Sequence, residues 1–100
     1  MIPSLGGSVS NGWEAVREAF LYNFENSEEV GAGVSVYHRG NKVVDLWGGS
    51  FDSDRTQAYT EDTLQLVFST TKGITAIAVA MCVERGLLSY DEKVSTYWPE

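Results

Sequence analysis

The sequence predicts a mixed α+β fold, in which an antiparallel β-hairpin lies between two helices. Apolar residues recur at helical spacing over residues 12–25, β-forming residues flank a turn within residues 33–47, and a second helical pattern covers residues 70–85. Helices and hairpin strands in separate stretches of a chain are typical of the α+β class. A chain of 100 residues has room for one domain or part of one.

The N-terminal region divides into an arm and an amphipathic helix. Residues 1–10 are rich in Gly and Ser and are interpreted as a flexible arm, so that residues 11–100 form the domain. Asn11 is expected to cap a helix over residues 12–25, with Glu14 as its capping-box partner. The apolar face of this helix consists of Trp13, Val16, Phe20 and Phe24.

The middle of the chain predicts a β-hairpin followed by a polar loop. Residues 34–38 form the first strand and residues 42–47 the return strand, joined by the turn residues Arg39, Gly40 and Asn41. Two glycines end the hairpin, and residues 50–62 carry the polar side chains of a loop.

The second helix is apolar on every face between residues 73 and 83. It covers residues 70–85, and Gly86 stands where a glycine ends a helix. A helix of this kind must be covered all round, and one surface helix with one hairpin supplies little cover. We therefore expect the chain to be the N-terminal part of a larger domain, or to be completed by another subunit in a homo-oligomer.

Composition excludes several classes of function. The formal net charge of −7 argues against nucleic acid as a partner and against a basic membrane-surface helix. The longest uncharged apolar run, residues 73–83, is too short for membrane insertion, which needs about 20 residues. No secretory signal pattern stands at the N-terminus, which favours a cytoplasmic location. With only Cys82 and His38, neither a structural zinc site nor an internal disulfide is expected.

Ser69 and Lys72 are the candidate catalytic residues, in the run Phe-Ser-Thr-Thr-Lys-Gly. Serine is a weak nucleophile at neutral pH and needs a base and an anion-stabilising site. Ser69 is expected at a helix start, where free N–H groups favour negative charge. Lys72 follows at a spacing that places both side chains on one helix face. Burial by the apolar run would favour the neutral amine of Lys72, which is the basic form.

A structural role for the same residues is the alternative. Ser69 or Thr70 would be a helix cap, and Lys72 a solvated lysine in the first turn. A capping box, however, has Glu or Gln where Lys72 stands, and a cation there opposes the helix dipole by about 0.3–1 kcal/mol. Local conflicts of this kind are typical of functional sites.

Several stretches, taken in order, carry a resemblance to a known family: residues 33–49, Glu61-Asp62-Thr63-Leu64, residues 67–73, residues 83–88 and residues 94–100. Together they resemble the β-lactamase-related serine hydrolases, and more specifically the class C-like branch with its carboxylesterases and LACTB-like animal proteins. The resemblance covers residues 12–100.

The resemblance implies an α/β-sandwich-like penicillin-recognition fold, in which helices flank an antiparallel sheet. It also implies acyl transfer through a serine acyl-enzyme without a cofactor, with Ser69 as nucleophile and Lys72 as its activator. The expected substrates are small-molecule carboxylic esters or amide-like acyl donors rather than β-lactams. Whether lysine or a tyrosine takes the proton stays open.

Two further motifs of that family are missing from the chain. No tyrosine is followed at the right spacing by Asn or Ser. His38-Arg39-Gly40 and Trp47-Gly48-Gly49 fit variants of the third motif but precede Ser69, so they are interpreted as a turn and a strand end. We expect truncation to explain both absences, and the fragment alone to be inactive.

Two other functions remain as alternatives. A non-catalytic scaffold or binding protein could retain the fold, and an acyltransferase would use the same serine with another acceptor. His38 is a poor candidate for the base, because no Asp is placed to complete a triad. No Gly-x-Ser-x-Gly elbow is present, so an α/β-hydrolase is unsupported.

Overall fold

The computed structural model describes residues 5–27 and 29–100, which fall into two compact units that divide after Leu64. The first unit contains β1 (Leu5–Val9), α1 (Glu14–Asn26), β2 (Gly31–His38) and β3 (Asn41–Gly49). The second contains a 3₁₀ turn (Phe68–Thr70), α2 (Thr71–Glu84) and α3 (Val94–Tyr97).

The strands form an antiparallel sheet in the order β1-β3-β2. The prediction of a flexible arm over residues 1–10 is wrong for residues 5–9, which form β1 and pair with β3 from Leu5 opposite Gly48 to Val9 opposite Val44. Residues 1–4 lie outside the described residues. The sequence does not predict this strand, because it is rich in glycine. Gly6 lies opposite Trp47 in the neighbouring strand, and a Cβ at Gly6 would overlap the indole ring.

The predicted hairpin is confirmed and is longer than expected. Its turn is made by Arg39 and Gly40, with φ of 51° and 79°. A two-residue turn with positive φ at both central residues has a backbone twist that matches the twist of the two strands it joins. The two strands extend to Gly31 and Gly49. The two glycines that were expected to end the hairpin, Gly48 and Gly49, are therefore paired residues of its second strand.

The core of the first unit lies where α1 packs on the sheet. Phe20, Val44 and Leu46 are buried, and the apolar face predicted for α1 packs against them. Val44 and Leu46 share one face of β3, as the period of two in a strand requires. Phe20 meets Phe24 edge to face at a centroid separation of 5.3 Å.

The start of α1 differs from its prediction. The N-cap is Trp13, which makes no side-chain capping bond, so the prediction of Asn11 as the cap is wrong. The Glu14 carboxylate accepts a hydrogen bond from the backbone N–H of Gly12 at 2.8 Å. The glutamate half of a capping box is therefore present without a capping side chain.

Asp52 organises the loop that follows β3. Its carboxylate accepts hydrogen bonds from the Thr56 hydroxyl, from the Thr56 backbone N–H at 2.8 Å and from the Gln57 N–H at 3.3 Å. These bonds, that of the Thr56 hydroxyl first, hold the pKa of Asp52 below its usual value. An isolated bridge between Ser50 and Ala58 closes the loop.

The second unit is built on α2, whose predicted end at Gly86 is confirmed. The Gly86 N–H donates to Val83 and the Leu87 N–H to Cys82, both at 2.9 Å, and Gly86 has φ of 73°. This is the Schellman arrangement that ends many helices. Apolar side chains of α2 remain exposed within the described chain, Ile74 to 65% and Ile77 to 58%.

No helix among the described residues is long and apolar enough to cross a bilayer.

Candidate active site

Ser69 and Lys72 lie at the start of α2 and are in direct contact. Ser69 belongs to the 3₁₀ turn that leads into the helix, and Lys72 is the second residue of α2. The Lys72 Nζ donates a hydrogen bond to the Ser69 Oγ at 2.8 Å. The contact that the spacing of the two residues predicts is therefore present. A lysine in its neutral form at this position would accept the hydroxyl proton across the same contact.

The Ser69 N–H is one of the backbone donors at the start of α2 that make no hydrogen bond within the described residues. The Thr70 N–H donates to the Val67 carbonyl at 3.1 Å, and the Thr71 N–H donates to the carbonyls of Phe68 and Ser69. The Ser69 N–H donates to no carbonyl or side chain in residues 5–27 or 29–100. When a nucleophile attacks a carbonyl, a free N–H group beside it can stabilise the oxyanion that forms on the carbonyl oxygen.

Both side chains of the pair are exposed within the described chain. The expectation that the apolar run of α2 buries Lys72 is therefore wrong for these residues. The physical reason is that a helix cannot bury its own first turn, and the apolar side chains of α2 are themselves exposed. Desolvation of Lys72 requires a surface that packs over the start of the helix.

The residue before Ser69 has an unusual backbone. Phe68 has φ of 46°, in the left-handed region, although it is neither glycine nor a small polar residue. For a bulky side chain this conformation is a genuine outlier. Sequence reasoning missed it, because an aromatic residue gives no signal for positive φ.

An apolar cavity of about 500 Å³ lies in the second unit, at the C-terminal half of α2. Its lining residues are Val79, Val83, Leu88, Ser89, Tyr90, Glu92, Val94, Tyr97 and Trp98. Neither Ser69 nor Lys72 lines it, so this cavity is separate from the Ser–Lys pair. The Tyr97 hydroxyl accepts the Ser89 N–H at 2.8 Å, which ties α3 to the segment after α2.

The other residues that the sequence offered as candidates for a catalytic motif lie in the hairpin of the first unit. His38 and Gly40 lie at the hairpin turn, and the His38 ring contacts Trp13 at a centroid separation of 5.8 Å. Trp47, Gly48 and Gly49 belong to β3 and pair with residues of the neighbouring strands. Within the described residues, no group of three His, Cys, Asp or Glu side chains is placed to hold a metal ion.

Residues 20–100 match the family described as Beta-lactamase. The chain belongs to the beta-lactamase family. The matched range contains the whole second unit, and with it the hydrogen-bonded pair of Ser69 and Lys72.

Relatives of this beta-lactamase family chain include esterases. The esterase/beta-lactamase LipL of Mycobacterium tuberculosis (strain ATCC 25618 / H37Rv) is 34% identical over 93 residues, which cover 93% of this chain and 22% of LipL. A solved family VIII carboxylesterase matches with a TM-score of 0.91 at 40% identity, over 96% of this chain and 26% of that protein. A penicillin-binding protein homologue from Caulobacter crescentus matches with a TM-score of 0.87 at 40% identity, with the same coverage.

These likenesses confirm the predicted fold and family. The chain has the beta-lactamase and penicillin-binding protein fold, with an antiparallel sheet and helices. It spans about a quarter of the length of the relatives that it matches.

Proposed function

We propose that this protein is a serine hydrolase that forms an acyl-enzyme on Ser69, with Lys72 as the activating base. The observation that carries the proposal is the hydrogen bond of 2.8 Å between the Lys72 Nζ and the Ser69 Oγ. A serine in contact with a potential base is the minimum arrangement for nucleophilic catalysis.

The proposed reaction has two steps. In the first, the neutral Lys72 amine accepts the Ser69 hydroxyl proton while Oγ bonds to the substrate carbonyl carbon, and the Ser69 N–H donates to the resulting oxyanion. The intermediate collapses, and the leaving alcohol or amine departs with the proton. In the second step, water attacks the acyl-enzyme, releases the acid and returns the proton to Ser69. The proton acceptor is Lys72 itself or a second base that Lys72 activates.

We propose carboxylic esters and amide-like acyl donors as the substrate class. Support comes from two relatives. LipL is named an esterase/beta-lactamase, and the family VIII carboxylesterase is 40% identical to this chain. No cofactor is needed, because serine, lysine and a backbone N–H supply the nucleophile, the base and the oxyanion donor.

The activity is proposed for the whole protein rather than for these residues in isolation. The pair is exposed here, and a neutral lysine requires desolvation. We propose that further chain of the same family domain, or a second subunit, packs over α2 and supplies this desolvation together with any second base.

Hydrolysis of a 4-nitrophenyl ester tests the proposal in the protein expressed from its complete reading frame. We expect Ser69→Ala to lower kcat by about 10³-fold or more, as removal of a catalytic nucleophile does. Ser95→Ala is the matched control, because Ser95 is an exposed serine on α3. Equal activity of Ser69→Ala and wild type, with both proteins folded, would exclude the catalytic role and favour a scaffold or binding function.

A further inference from the structure

We propose that the apolar cavity of the second unit is a binding site for a quaternary ammonium group, which it holds between aromatic rings and one carboxylate. The inference goes beyond the proposed hydrolase, because the cavity lies at the C-terminal half of α2 and neither residue of the Ser–Lys pair lines it. Its volume of about 500 Å³ is typical of sites for small molecules.

The first step of the argument is the aromatic content of the cavity. Tyr90, Tyr97 and Trp98 line it, and Tyr90 and Trp98 are exposed to 70% and 71%. Among the described residues, none of these three rings contacts another aromatic ring, so none of them uses its face for stacking. The face of an aromatic ring is electron-rich and attracts a cation that lies over it.

The second step is the charge of the lining. Glu92 is the one charged side chain among the described residues that line the cavity. In the described part of the chain its carboxylate accepts a hydrogen bond from the Thr96 hydroxyl at 3.3 Å and forms no ion pair. The cavity therefore combines electron-rich ring faces with a negative charge that no cation neutralises. The occupant that complements both is a cation.

The third step is the kind of cation. A primary ammonium or a guanidinium group has several N–H donors, and each needs an acceptor when the group leaves water. The cavity offers few acceptors, because the Tyr97 hydroxyl already accepts the Ser89 N–H at 2.8 Å and the Ser89 hydroxyl accepts the Asp91 N–H at 3.3 Å. A quaternary ammonium has no N–H donor, so it loses no hydrogen bond of its own on entering the cavity.

The same lining disfavours an uncharged apolar occupant. Such a group would pack on Val79, Val83 and Leu88, but it would also remove water from the Glu92 carboxylate without supplying a positive charge. Loss of water from an unpaired carboxylate is unfavourable. A trimethylammonium group supplies the apolar contact through its methyl groups and the positive charge through its nitrogen.

Two ligands of one shape separate recognition of charge from burial of apolar surface. They are choline and its neutral isostere, in which a tert-butyl group replaces the trimethylammonium group. Binding of each ligand to the complete protein would be measured by isothermal titration calorimetry. The variants are Trp98→Leu, Trp98→Phe and Glu92→Gln, and Glu25→Gln, at an exposed glutamate of α1, is the matched control for the last.

We expect the complete protein to bind choline about tenfold more tightly than the neutral isostere, as a desolvated contact between a cation and an aromatic face provides. Trp98→Leu should weaken choline binding by a similar factor, whereas Trp98→Phe should retain most of it, because phenylalanine keeps an aromatic face. Glu92→Gln should weaken the binding of choline and not that of the isostere. Glu25→Gln should change neither.

Three results would overturn the inference, and none of them depends on esterase activity. Equal affinity for the two ligands would mean that the cavity recognises apolar shape and not charge. Absence of choline binding to the folded wild type would mean that another part of the protein fills the cavity. Choline binding that is unchanged in both Trp98→Leu and Glu92→Gln would place the site elsewhere. If Trp98→Leu does not fold, the two ligands on wild type and the pair of glutamate variants decide.

Discussion

The Lys72 Nζ lies 2.8 Å from the Ser69 Oγ, across one turn at the start of α2. The amine and the hydroxyl can therefore exchange a proton without any movement of the backbone. Lysine is unusual in a first helical turn, because its charge opposes the dipole. The neutral amine that the proposed mechanism requires carries no charge and does not oppose the dipole.

The first prediction concerns Lys72. Lys72→Arg should lower the acylation rate by about 10²–10⁴-fold, because a guanidinium keeps its charge and cannot accept the serine proton. The measurement is the pre-steady-state burst with a 4-nitrophenyl ester in the complete protein. Lys93→Arg, at an exposed lysine before α3, is the control and should retain the wild-type burst. A normal burst in Lys72→Arg would show that this lysine is not the base.

The second prediction compares two glycines at which a Cβ would meet no described residue within 4 Å. Gly86→Ala should lower the free energy of unfolding by about 1–2 kcal/mol, because Gly86 has φ of 73°. At Gly73, inside α2, the helical backbone itself favours alanine over glycine by about 0.5–1 kcal/mol, so Gly73→Ala should cost less than Gly86→Ala. Urea unfolding of the complete protein measures both. A Gly86→Ala variant as stable as wild type would contradict the helix end described here.

The third prediction tests β1 through Gly6 and Trp47. Gly6→Ala should destabilise the protein, because the new Cβ overlaps the Trp47 indole. In a Trp47→Leu background the same change should cost less, giving a coupling of about 0.5–3 kcal/mol in a double-mutant cycle. Ser8→Ala, elsewhere on β1, is the control. Additive effects of the two changes would mean that residues 5–9 do not pair as described.

The fourth prediction concerns pH and Asp52. Its hydrogen bonds, that of the Thr56 hydroxyl first, hold the folded pKa below the usual value of 3.8. The carboxylate therefore contributes stability above about pH 4, and this contribution is lost as the pH falls through the folded pKa. The difference in unfolding free energy between wild type and Asp52→Asn should be constant near neutral pH and shrink in acid. A difference independent of pH down to pH 2 would contradict the assignment.

The fifth prediction concerns cover for α2. Ile74 and Ile77 are exposed in the described chain to 65% and 58%. A 100-residue chain prepared alone should therefore lack a cooperative thermal transition or should associate. Calorimetry with sedimentation analysis measures both properties. A two-state melt of a monomer would contradict the expectation that further chain or another subunit completes the fold.

The elements that the sequence predicts well are those with strong local signals. The hairpin follows from alternation around Arg39 and Gly40, and the end of α2 follows from Gly86. The contact between Ser69 and Lys72 follows from helical spacing. Each depends on a local pattern or a local backbone preference, which the sequence displays directly.

The features that sequence reasoning missed depend on tertiary context. β1 carries two glycines, and its pairing is decided by the neighbouring strand and by the Trp47 indole that faces Gly6. The N-cap of α1 is Trp13 and not the predicted Asn11, because the exact start of a helix depends on how the chain enters it. The left-handed Phe68 could not be predicted, because its residue type disfavours the conformation.

The most direct test of the central claim is covalent labelling of Ser69. The complete protein would be treated with a fluorophosphonate probe, beside Ser69→Ala and Ser95→Ala, and the modified peptide identified by mass spectrometry. We predict a single adduct on Ser69, retained in Ser95→Ala and absent from Ser69→Ala. A folded protein that stays unlabelled, or that carries the adduct on another residue, would contradict the assignment of Ser69 as the nucleophile.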